Sequence, residues 1–366
     1  MTTYLLAGGG TAGHVNPLLA TADALRARDP RARILVLGTA EGLEARLVPE
    51  RGYELLTIDK VPFPRRPNRA ALAFPARFRR AVSRVRTIIA KEQVDAVIGF
   101  GGYAATPAYV AARKRVPIIV HEANAMPGLA NRLGARWAKL TAVVFPNTKL
   151  PGARVIGMPL RREIAGLDPR VSRSEAIEYF GLDPNRATLV VTGGSLGAKR
   201  INDTIRELGQ ELIDATDGQS RNWQILHIVG RLSPFDDPKL ENYHVVEYCD
   251  RMDLAFAAAD FIIARAGAST VSELLAVGLA TLYVPYAVGN GEQSHNIASV
   301  LAAGAAVTIV DAQFTPAYVR EELLPLLADE PRRRQLAENA RRLGVRDAAE
   351  QLAERIDETI AAHPKP

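Results

Sequence analysis

Cysteine is almost absent from this chain of 366 residues, which contains Cys249 and no other. An internal disulfide is therefore excluded, and we expect a reducing compartment such as the cytoplasm. Long apolar runs are missing too, because glycine and proline interrupt even residues 274–291, an extended stretch without a charged side chain. A membrane-spanning helix needs about 20 consecutive apolar residues, so we predict no transmembrane segment.

Three motifs that hold metal ions or ATP are also missing. The sequence contains no Asp-x-Asp pair, no Cys/His cluster with zinc spacing and no G-x-x-x-x-G-K-[ST] loop. We therefore expect neither a metal ion nor a separate cofactor. Negative charge on a leaving group would then be stabilised by helix N-termini, hydroxyl groups and arginine side chains.

Acidic residues are scarce in the first part of the chain. Residues 1–157 contain 24 Lys and Arg but 10 Asp and Glu, whereas residues 158–366 contain 22 and 30. We expect that only the first part meets a polyanion or an anionic surface.

Short apolar runs rich in Val, Ile and Leu alternate with longer amphipathic segments along the chain, which predicts parallel sheets covered by helices on both faces. The predicted strands of the first half are residues 4–6, 34–37, 96–98, 118–120, 142–145 and 155–156. Those of the second half are residues 189–191, 225–229, 245–248, 261–263, 282–284 and 307–310. Two successive sets predict two doubly wound α/β domains, residues 1–160 and 161–344. The last helical segment, from about 345 to 366, is a candidate to pack back on the first domain.

The first predicted strand runs into a glycine loop that matches G-x-G-x-x-G in Gly8, Gly10 and Gly13. Such a loop lets backbone amides and a helix N-terminus face an anion. A dinucleotide cofactor is one interpretation, but the second strand ends at Gly38-Thr39 without the acidic residue that would hold a ribose hydroxyl. A tight turn without a ligand is the other interpretation.

Two further loops follow strands of the second half. Residues 192–198 form a second glycine turn before a helix, with Ser195 able to donate to a phosphate oxygen. In residues 265–273, Thr270 and Glu273 have the spacing of a capping box, which would satisfy the first helix amides without a ligand. The same glycine, hydroxyls and acid also suit a ribose and a pyrophosphate, so both interpretations stay open.

Residues 60–91 contain ten basic side chains and no acidic one. Within this segment the apolar residues of one helix face are Phe78, Val82, Val85 and Ile89. An ordinary helix that packs this stripe on the core is one interpretation. It leaves Phe63, Leu72 and Phe74 unexplained, because they lie in the arginine-rich approach that contains Arg65 and Arg66.

We therefore predict a membrane face that binds the anionic phospholipids of the inner leaflet. Its residues are Phe74, Arg77, Phe78, Arg79 and Arg80. Nucleic acid is not expected as a partner, because no recognised RNA- or DNA-binding motif accompanies the basic residues.

Five motifs in order resemble the MurG family, the peptidoglycan N-acetylglucosaminyltransferases. They are residues 8–14 (GGGTAGH), 99–103 (GFGGY), 121–124 (HEAN), 193–198 (GGSLGA) and 265–273 (RAGASTVSE). The resemblance implies a GT-B fold, with two Rossmann-like domains facing a central cleft. It also implies UDP-N-acetylglucosamine as donor and undecaprenyl-pyrophosphoryl-N-acetylmuramoyl pentapeptide (lipid I) as acceptor. The product would be lipid II, with a β-1,4 bond formed by inversion.

The resemblance also implies functions for single residues. Thr11, Ala12 and Gly13 would flank the phosphates, Arg161 and Ser195 would serve the diphosphate, and the backbone of Cys249 would read the uracil. The remaining implied donor contacts are Asn124 at the sugar, Arg265, Ala268, Ser269 and Thr270 in the third loop, Glu273 at the ribose and Gln293 at the sugar hydroxyls. Met158, Leu196 and Glu292 stand where the family often has Asn, Gln and Gln.

Inversion requires a base that takes the proton of the acceptor hydroxyl. His14 is the first candidate, because an unperturbed imidazole titrates near neutrality, and Glu122 is the alternative. His14 could instead bind a phosphate or cap the helix. We expect a peripheral enzyme on the cytoplasmic face of the cell membrane, with other cell-wall and division proteins as further candidate partners.

Overall fold

The computed structural model describes residues 1–62, 69–286 and 291–363. The chain divides into two compact units. The first contains residues 1–161 and 346–366, and the second contains residues 162–345.

The first unit is built on a parallel sheet of seven strands in the order β3-β2-β1-β4-β5-β6-β7. The strands are β1 (Thr3–Ala7), β2 (Arg33–Gly38), β3 (Glu54–Thr57), β4 (Ala96–Gly99), β5 (Ile118–Glu122), β6 (Leu140–Val143) and β7 (Ala153–Val155). All five residues of β1 are buried, as expected for a central strand covered on both faces. β3 was not predicted from the sequence, because this strand at the sheet edge lies only half buried and lacks a continuous apolar run.

Helices connect these strands and cover the sheet. Those of the first part of the chain are α1 (Ala12–Arg28), α2 (Glu44–Glu50), α3 (Arg69–Lys91), α4 (Gly102–Ala112) and α5 (Leu129–Gly134). Because the strands are parallel, the loops after β1 and β4 lie at the carboxyl edge of the sheet. The reversal of strand order between β1 and β4 opens a crevice there, where doubly wound folds bind ligands.

The second unit repeats the plan with a parallel sheet of six strands in the order β10-β9-β8-β11-β12-β13. These are β8 (Ala187–Thr192), β9 (Trp223–Ile228), β10 (Tyr243–Val246), β11 (Phe261–Ala264), β12 (Thr281–Tyr283) and β13 (Val307–Thr308). The core of this unit contains residues such as Ile201, Leu212 and Leu323, all at most 1% exposed.

The helices of the second unit vary widely in length. They are α6 (Arg162–Ala165), α7 (Pro169–Phe180), α8 (Lys199–Glu207), α9 (Gly209–Asp214), α10 (Met252–Ala258), α11 (Ala268–Val277), α12 (Glu292–Asn296), α13 (Ala298–Ala302), α14 (Pro316–Tyr318), α15 (Leu324–Ala328) and α16 (Glu330–Leu343). A short 3-10 turn (Asp311–Gln313) and a π-helical turn (Val319–Leu323) complete the set.

The final helix, α17 (Ala348–Ala362), returns to the first unit. Leu352 and Ile356 are fully buried in the same core as Leu18 of α1. Asp357 accepts a hydrogen bond from the hydroxyl of Tyr4 at 2.6 Å and pairs with Arg28 at 3.0 Å. The chain therefore completes the first unit with its last helix.

A search of the described residues finds no helix with the length and apolar character that crossing a bilayer requires.

Candidate active site

The first glycine loop leaves the N-terminus of α1 open. α1 begins at Ala12, and its N-cap residue Thr11 makes no side-chain capping hydrogen bond. The Thr11 hydroxyl instead lies 3.2 Å from Nδ1 of His14. A helix N-terminus without a cap presents backbone N–H groups and a positive dipole end, which suits an anion.

His14 lies in the first turn of α1, half buried, and its ring is oriented by the glycine loop. Nδ1 lies 3.1 Å from the backbone oxygen of Gly9. Because a carbonyl oxygen can only accept, Nδ1 donates its hydrogen there, and the neutral ring keeps its basic lone pair on Nε2. Burial lowers the pKa of His14, while the bond to Gly9 and the charge of Glu44 act in the opposite direction.

The loop after β4 faces this ring with glycine. A Cβ at Gly101 would lie 3.0 Å from Nε2 of His14, and the residue has φ +93°, which side chains rarely adopt. A Cβ at Gly102 would overlap the backbone of Gly9. The GFGGY motif therefore lets two loops pack backbone to backbone and leaves room beside Nε2.

Glu122, the alternative base, is buried at the end of β5 and is surrounded by donors. Its carboxylate accepts from the backbone N–H of Asn124 at 2.9 Å, from that of Gly128 at 3.0 Å and from Nδ2 of Asn131 at 3.0 Å. Burial raises the pKa of Glu122, and these hydrogen bonds offset that only in part. Its contacts are those of a carboxylate that holds the loop carrying Asn124.

The sequence analysis missed a second buried carboxylate, Glu44. Its Oε2 accepts from the N–H of Gly10 at 2.8 Å, and its Oε1 accepts from the N–H and hydroxyl of Thr39 at 2.9 and 2.8 Å. Burial alone would raise the pKa of Glu44, but these bonds outweigh it, so the pKa lies below its ordinary value. The sequence feature that could have pointed to Glu44 is the glycines around it. A Cβ at Gly9, Gly38 or Gly42 would overlap the Glu44 side chain.

In the second unit, the loop between β8 and α8 also feeds an open helix start. Ser195 is exposed, and its backbone oxygen accepts from the N–H of Arg231 at 3.2 Å. The N-cap residue of α8, Ala198, has no side chain that could cap it. A Cβ at Gly197 would overlap the backbone of Val229, so this glycine is required for the close approach of two loops.

The capping-box interpretation of the third loop is wrong. α11 begins at Ala268 with Gly267 as its N-cap, so Thr270 is the third helical residue and cannot cap. Beside it, the buried hydroxyl of Ser269 has no hydrogen-bond partner within the described part of the chain. A buried donor in the first turn of an uncapped helix is suited to an anionic oxygen. Glu273 lies half buried one turn further along the helix.

Arg265 and Gln293 both hold backbone at this end of the sheet. Nη1 of Arg265 pairs with Asp311 at 2.5 Å and donates to the oxygen of Val284 at 2.9 Å. Oε1 of Gln293 accepts from the N–H of Ala266 at 3.2 Å and from that of Tyr286 at 2.8 Å. The predicted sugar contact of Gln293 would therefore use its amide nitrogen. Asp311 was not predicted, because nothing in its local sequence marks it.

Two more residues were predicted to contact the substrates, Cys249 and Arg161. Cys249 is buried three residues after β10, and Arg161 lies half buried at the end of the first unit's main segment. No group of three His, Cys, Asp or Glu side chains that could hold a metal ion occurs among residues 1–62, 69–286 and 291–363. The expectation that no cofactor is required stays a prediction.

The basic helix α3 buries its apolar stripe. Val82, Val85 and Ile89 are at most 5% exposed. Phe74 and Phe78 stack with ring centroids 5.5 Å apart and lie half buried against the same core. The ordinary-helix interpretation therefore holds for this stripe, Phe78 included.

Exposed basic side chains cover the other side of α3. Arg77, Arg79 and Arg80 are exposed, and Arg77 donates to the backbone oxygen of Lys60 at 2.9 Å. Leu72 is 84% exposed. Phe63, Arg65 and Arg66 lie outside the described residues.

Comparison with known proteins identifies the family of this chain. Profiles of the N-terminal and C-terminal domains of glycosyltransferase family 28 match residues 4–143 and 188–352. A solved structure of MurG from Acinetobacter baumannii is 27% identical, with a TM-score of 0.79 over 98% of this chain and 100% of that one. The UDP-N-acetylglucosamine--N-acetylmuramyl-(pentapeptide) pyrophosphoryl-undecaprenol N-acetylglucosamine transferase of Clavibacter sepedonicus is 57% identical, over 100% of this chain and 98% of the relative. The chain belongs to the MurG family.

The two units are accordingly the two Rossmann-like domains of a GT-B-type fold. The same fold occurs outside the MurG family. A UDP-GlcNAc 2-epimerase from Neisseria meningitidis matches with a TM-score of 0.69 at 13% identity, over 99% of this chain and 100% of that one. At that identity the likeness concerns the fold alone.

Proposed function

We propose that this enzyme is a hexosyltransferase that carries out the reaction of the MurG family. It transfers N-acetylglucosamine from UDP-N-acetylglucosamine to the muramoyl 4-hydroxyl of undecaprenyl-pyrophosphoryl-N-acetylmuramoyl pentapeptide, and so converts lipid I into lipid II for peptidoglycan. The observation that carries this proposal is the 57% identity to a transferase of that name along the whole chain.

In the first unit, we assign the acceptor to the open N-terminus of α1. The acceptor phosphates would face the amides of Ala12 and Gly13 and the hydroxyl of Thr11. This assignment is supported by the N-cap residue Thr11, whose side chain makes no capping hydrogen bond to the described residues of the helix. A diphosphate bound there would bring the reacting sugar toward the side of the loop that carries His14.

His14 would act as the base. Its Nδ1–H is committed to Gly9, so Nε2 takes the proton of the acceptor hydroxyl. The hydroxyl oxygen forms the new bond to the anomeric carbon as the bond from that carbon to the UDP oxygen breaks, with inversion. Glu122 is less suited, because three donors surround its carboxylate. We assign to Glu122 the positioning of the loop that carries Asn124.

In the second unit, we assign UDP-N-acetylglucosamine to the loops after β8 and β11. Ser195 and Ser269 would donate to the diphosphate, and the open N-termini of α8 and α11 would stabilise the charge of departing UDP. Glu273 would bind the ribose hydroxyls, and Gln293 the sugar. No metal ion or cofactor enters this scheme.

Turnover with labelled UDP-N-acetylglucosamine and a lipid I analogue tests the activity. We expect a disaccharide-lipid product whose formation requires both substrates. Epimerised free nucleotide sugar without any lipid product would instead overturn the proposal in favour of a nucleotide-sugar epimerase.

We further propose that the enzyme is peripheral to the cytoplasmic face of the membrane and docks through the exposed arginines of α3. Phe74 and Phe78 are half buried, so charge would contribute most of the binding. Each basic residue near an anionic bilayer is worth about 1 kcal/mol, so the double change Arg79→Gln/Arg80→Gln should weaken binding to phosphatidylglycerol vesicles by about thirtyfold.

The matched control for this experiment is Arg341→Gln/Arg342→Gln, an exposed consecutive pair on α16 with the same change in charge. Equal loss of vesicle binding in both variants would show that binding depends on the net charge of the protein and not on the α3 arginines, and would contradict the proposed face. Unchanged binding of the α3 variant would refute the face. Contacts with other cell-wall and division proteins stay a prediction.

A further inference from the structure

A single peptide group links Glu44 to His14. The peptide between Gly9 and Gly10 has its N–H on Oε2 of Glu44, at 2.8 Å, and its C=O on Nδ1 of His14, at 3.1 Å. The carboxylate and the imidazole therefore bond to opposite ends of one amide dipole. Hydrogen bonds arranged in such a chain polarise one another, so the carboxylate strengthens the carbonyl as an acceptor for the ring.

Glu44 itself is held in one position. It is 1% exposed, and Thr39 donates to its Oε1 through both the backbone N–H and the hydroxyl. Gly9, Gly38 and Gly42 surround the side chain so closely that a Cβ at any of them would overlap it. A buried carboxylate that bonds to backbone on both sides fixes the geometry of the loop between them.

A glycine, which carries no charge, lies beside Nε2 of the ring. The loop after β4 presents Gly101, and a Cβ there would lie 3.0 Å from Nε2 of His14 and 3.5 Å from Nδ2 of Asn131. The charge of Glu44 acts to raise the pKa of His14, against the larger effect of burial. The carboxylate therefore favours the protonated form of this imidazole.

We propose that Glu44 is a positioning residue for the transfer reaction, which acts on the base His14 through the Gly9–Gly10 peptide. It fixes the Nδ1–H tautomer, aims Nε2 away from the loop and makes the imidazole a stronger base. The arrangement does for His14 what a directly bonded carboxylate does for the histidine of a catalytic triad, with a peptide group placed between them. This inference rests on the proposed function of His14.

The test compares pH profiles of kcat/KM for full-length variants with labelled UDP-N-acetylglucosamine and a lipid I analogue. A carboxamide at position 44 has one acceptor oxygen for two backbone amides on opposite sides, and it has no charge. Glu44→Gln should therefore lower the plateau of kcat/KM roughly tenfold, a part of the factor of about 100 to 10,000 that a general base contributes. The acid limb should move to lower pH, because the imidazole becomes a weaker base.

Two controls separate this effect from charge and from stability. Glu41→Gln removes an exposed carboxylate from the segment just before α2 and should leave both plateau and acid limb unchanged. Thr39→Val removes a hydroxyl donor to Oε1 but keeps the bond to Gly10, so it should lower Tm without moving the acid limb. An unmoved limb in Glu44→Gln, or an equal shift in Thr39→Val, would overturn the proposal.

A measurement on the unaltered enzyme covers the case in which Glu44→Gln does not fold. The chain has six histidines, so 15N-histidine labelling with a His14→Gln comparison assigns the ring. We expect the Nδ1–H tautomer for His14, and the Nε2–H tautomer would overturn the proposal. If His14→Gln retained full activity and the same pH profile, the proposed base itself would be wrong, whatever Glu44 does.

Discussion

Replacement of Glu122 by glutamine distinguishes a positioning carboxylate from a catalytic base. One oxygen accepts from Asn124, and the other accepts from Gly128 and Asn131. A carboxamide keeps at most two of these bonds, because its nitrogen must face the remaining donor. A hydrogen bond to a buried charged group is worth about 1.5–3 kcal/mol, and loss of the burial cost of the charge offsets a part of it. We expect a net loss of about 2 kcal/mol in the free energy of unfolding.

For a domain of this size, about 2 kcal/mol corresponds to a decrease in Tm of roughly 4–8 °C. Calorimetry of the purified variant measures that shift, and steady-state kinetics measures the consequence for the loop that carries Asn124. We expect kcat/KM for UDP-N-acetylglucosamine to fall about tenfold, with the acid limb of the pH profile retained. A loss of about a thousandfold, with the acid limb abolished and Tm unchanged, would show that Glu122 is the base and refute this reasoning.

Three further changes test other parts of the site and fold. His14→Ala should remove the acid limb of the kcat/KM profile and lower its plateau at least about a hundredfold, as the proposed base role requires. Because burial lowers the pKa of His14, the wild-type acid limb should lie at lower pH than the titration of an exposed histidine. Ser269→Ala should raise KM for UDP-N-acetylglucosamine about tenfold without lowering Tm, since the hydroxyl has no partner among the described residues; a Tm loss with unchanged KM would contradict a donor contact. Leu352→Ala should cost about 2–5 kcal/mol in urea unfolding, as expected for a fully buried leucine, and a value near zero would contradict the packing of α17.

Much of the fold could be predicted because its strands are buried on both faces. Continuous apolar runs identify β1, β2, β4 and β11 to within a residue or two at each end. The strand at the edge, β3, was missed, because a strand with one neighbour needs no continuous apolar run. Residues 142–145 and 245–248 were placed two residues late, because Thr141 and His244 interrupt the apolar run near the start of β6 (Leu140–Val143) and β10 (Tyr243–Val246).

The site was less predictable, because its geometry depends on pairs of residues far apart in the chain. Gly10 and Glu44 are separated by 34 residues and Arg265 and Asp311 by 46, so no local motif reveals either pair. The capping-box alternative failed for a different reason. α11 begins two residues before Thr270, and sequence spacing alone does not fix where a helix starts.

The return of α17 to the first unit also affects how the enzyme is made. A ribosome releases a chain from its N-terminus at about 5–20 residues per second. The second unit is continuous, so all of it emerges before α17 does. The first unit, although it starts first, must wait for Leu352 and Ile356 to fill its core. Until then, the apolar surface of α1 that Leu352 and Ile356 cover stays exposed on the growing chain.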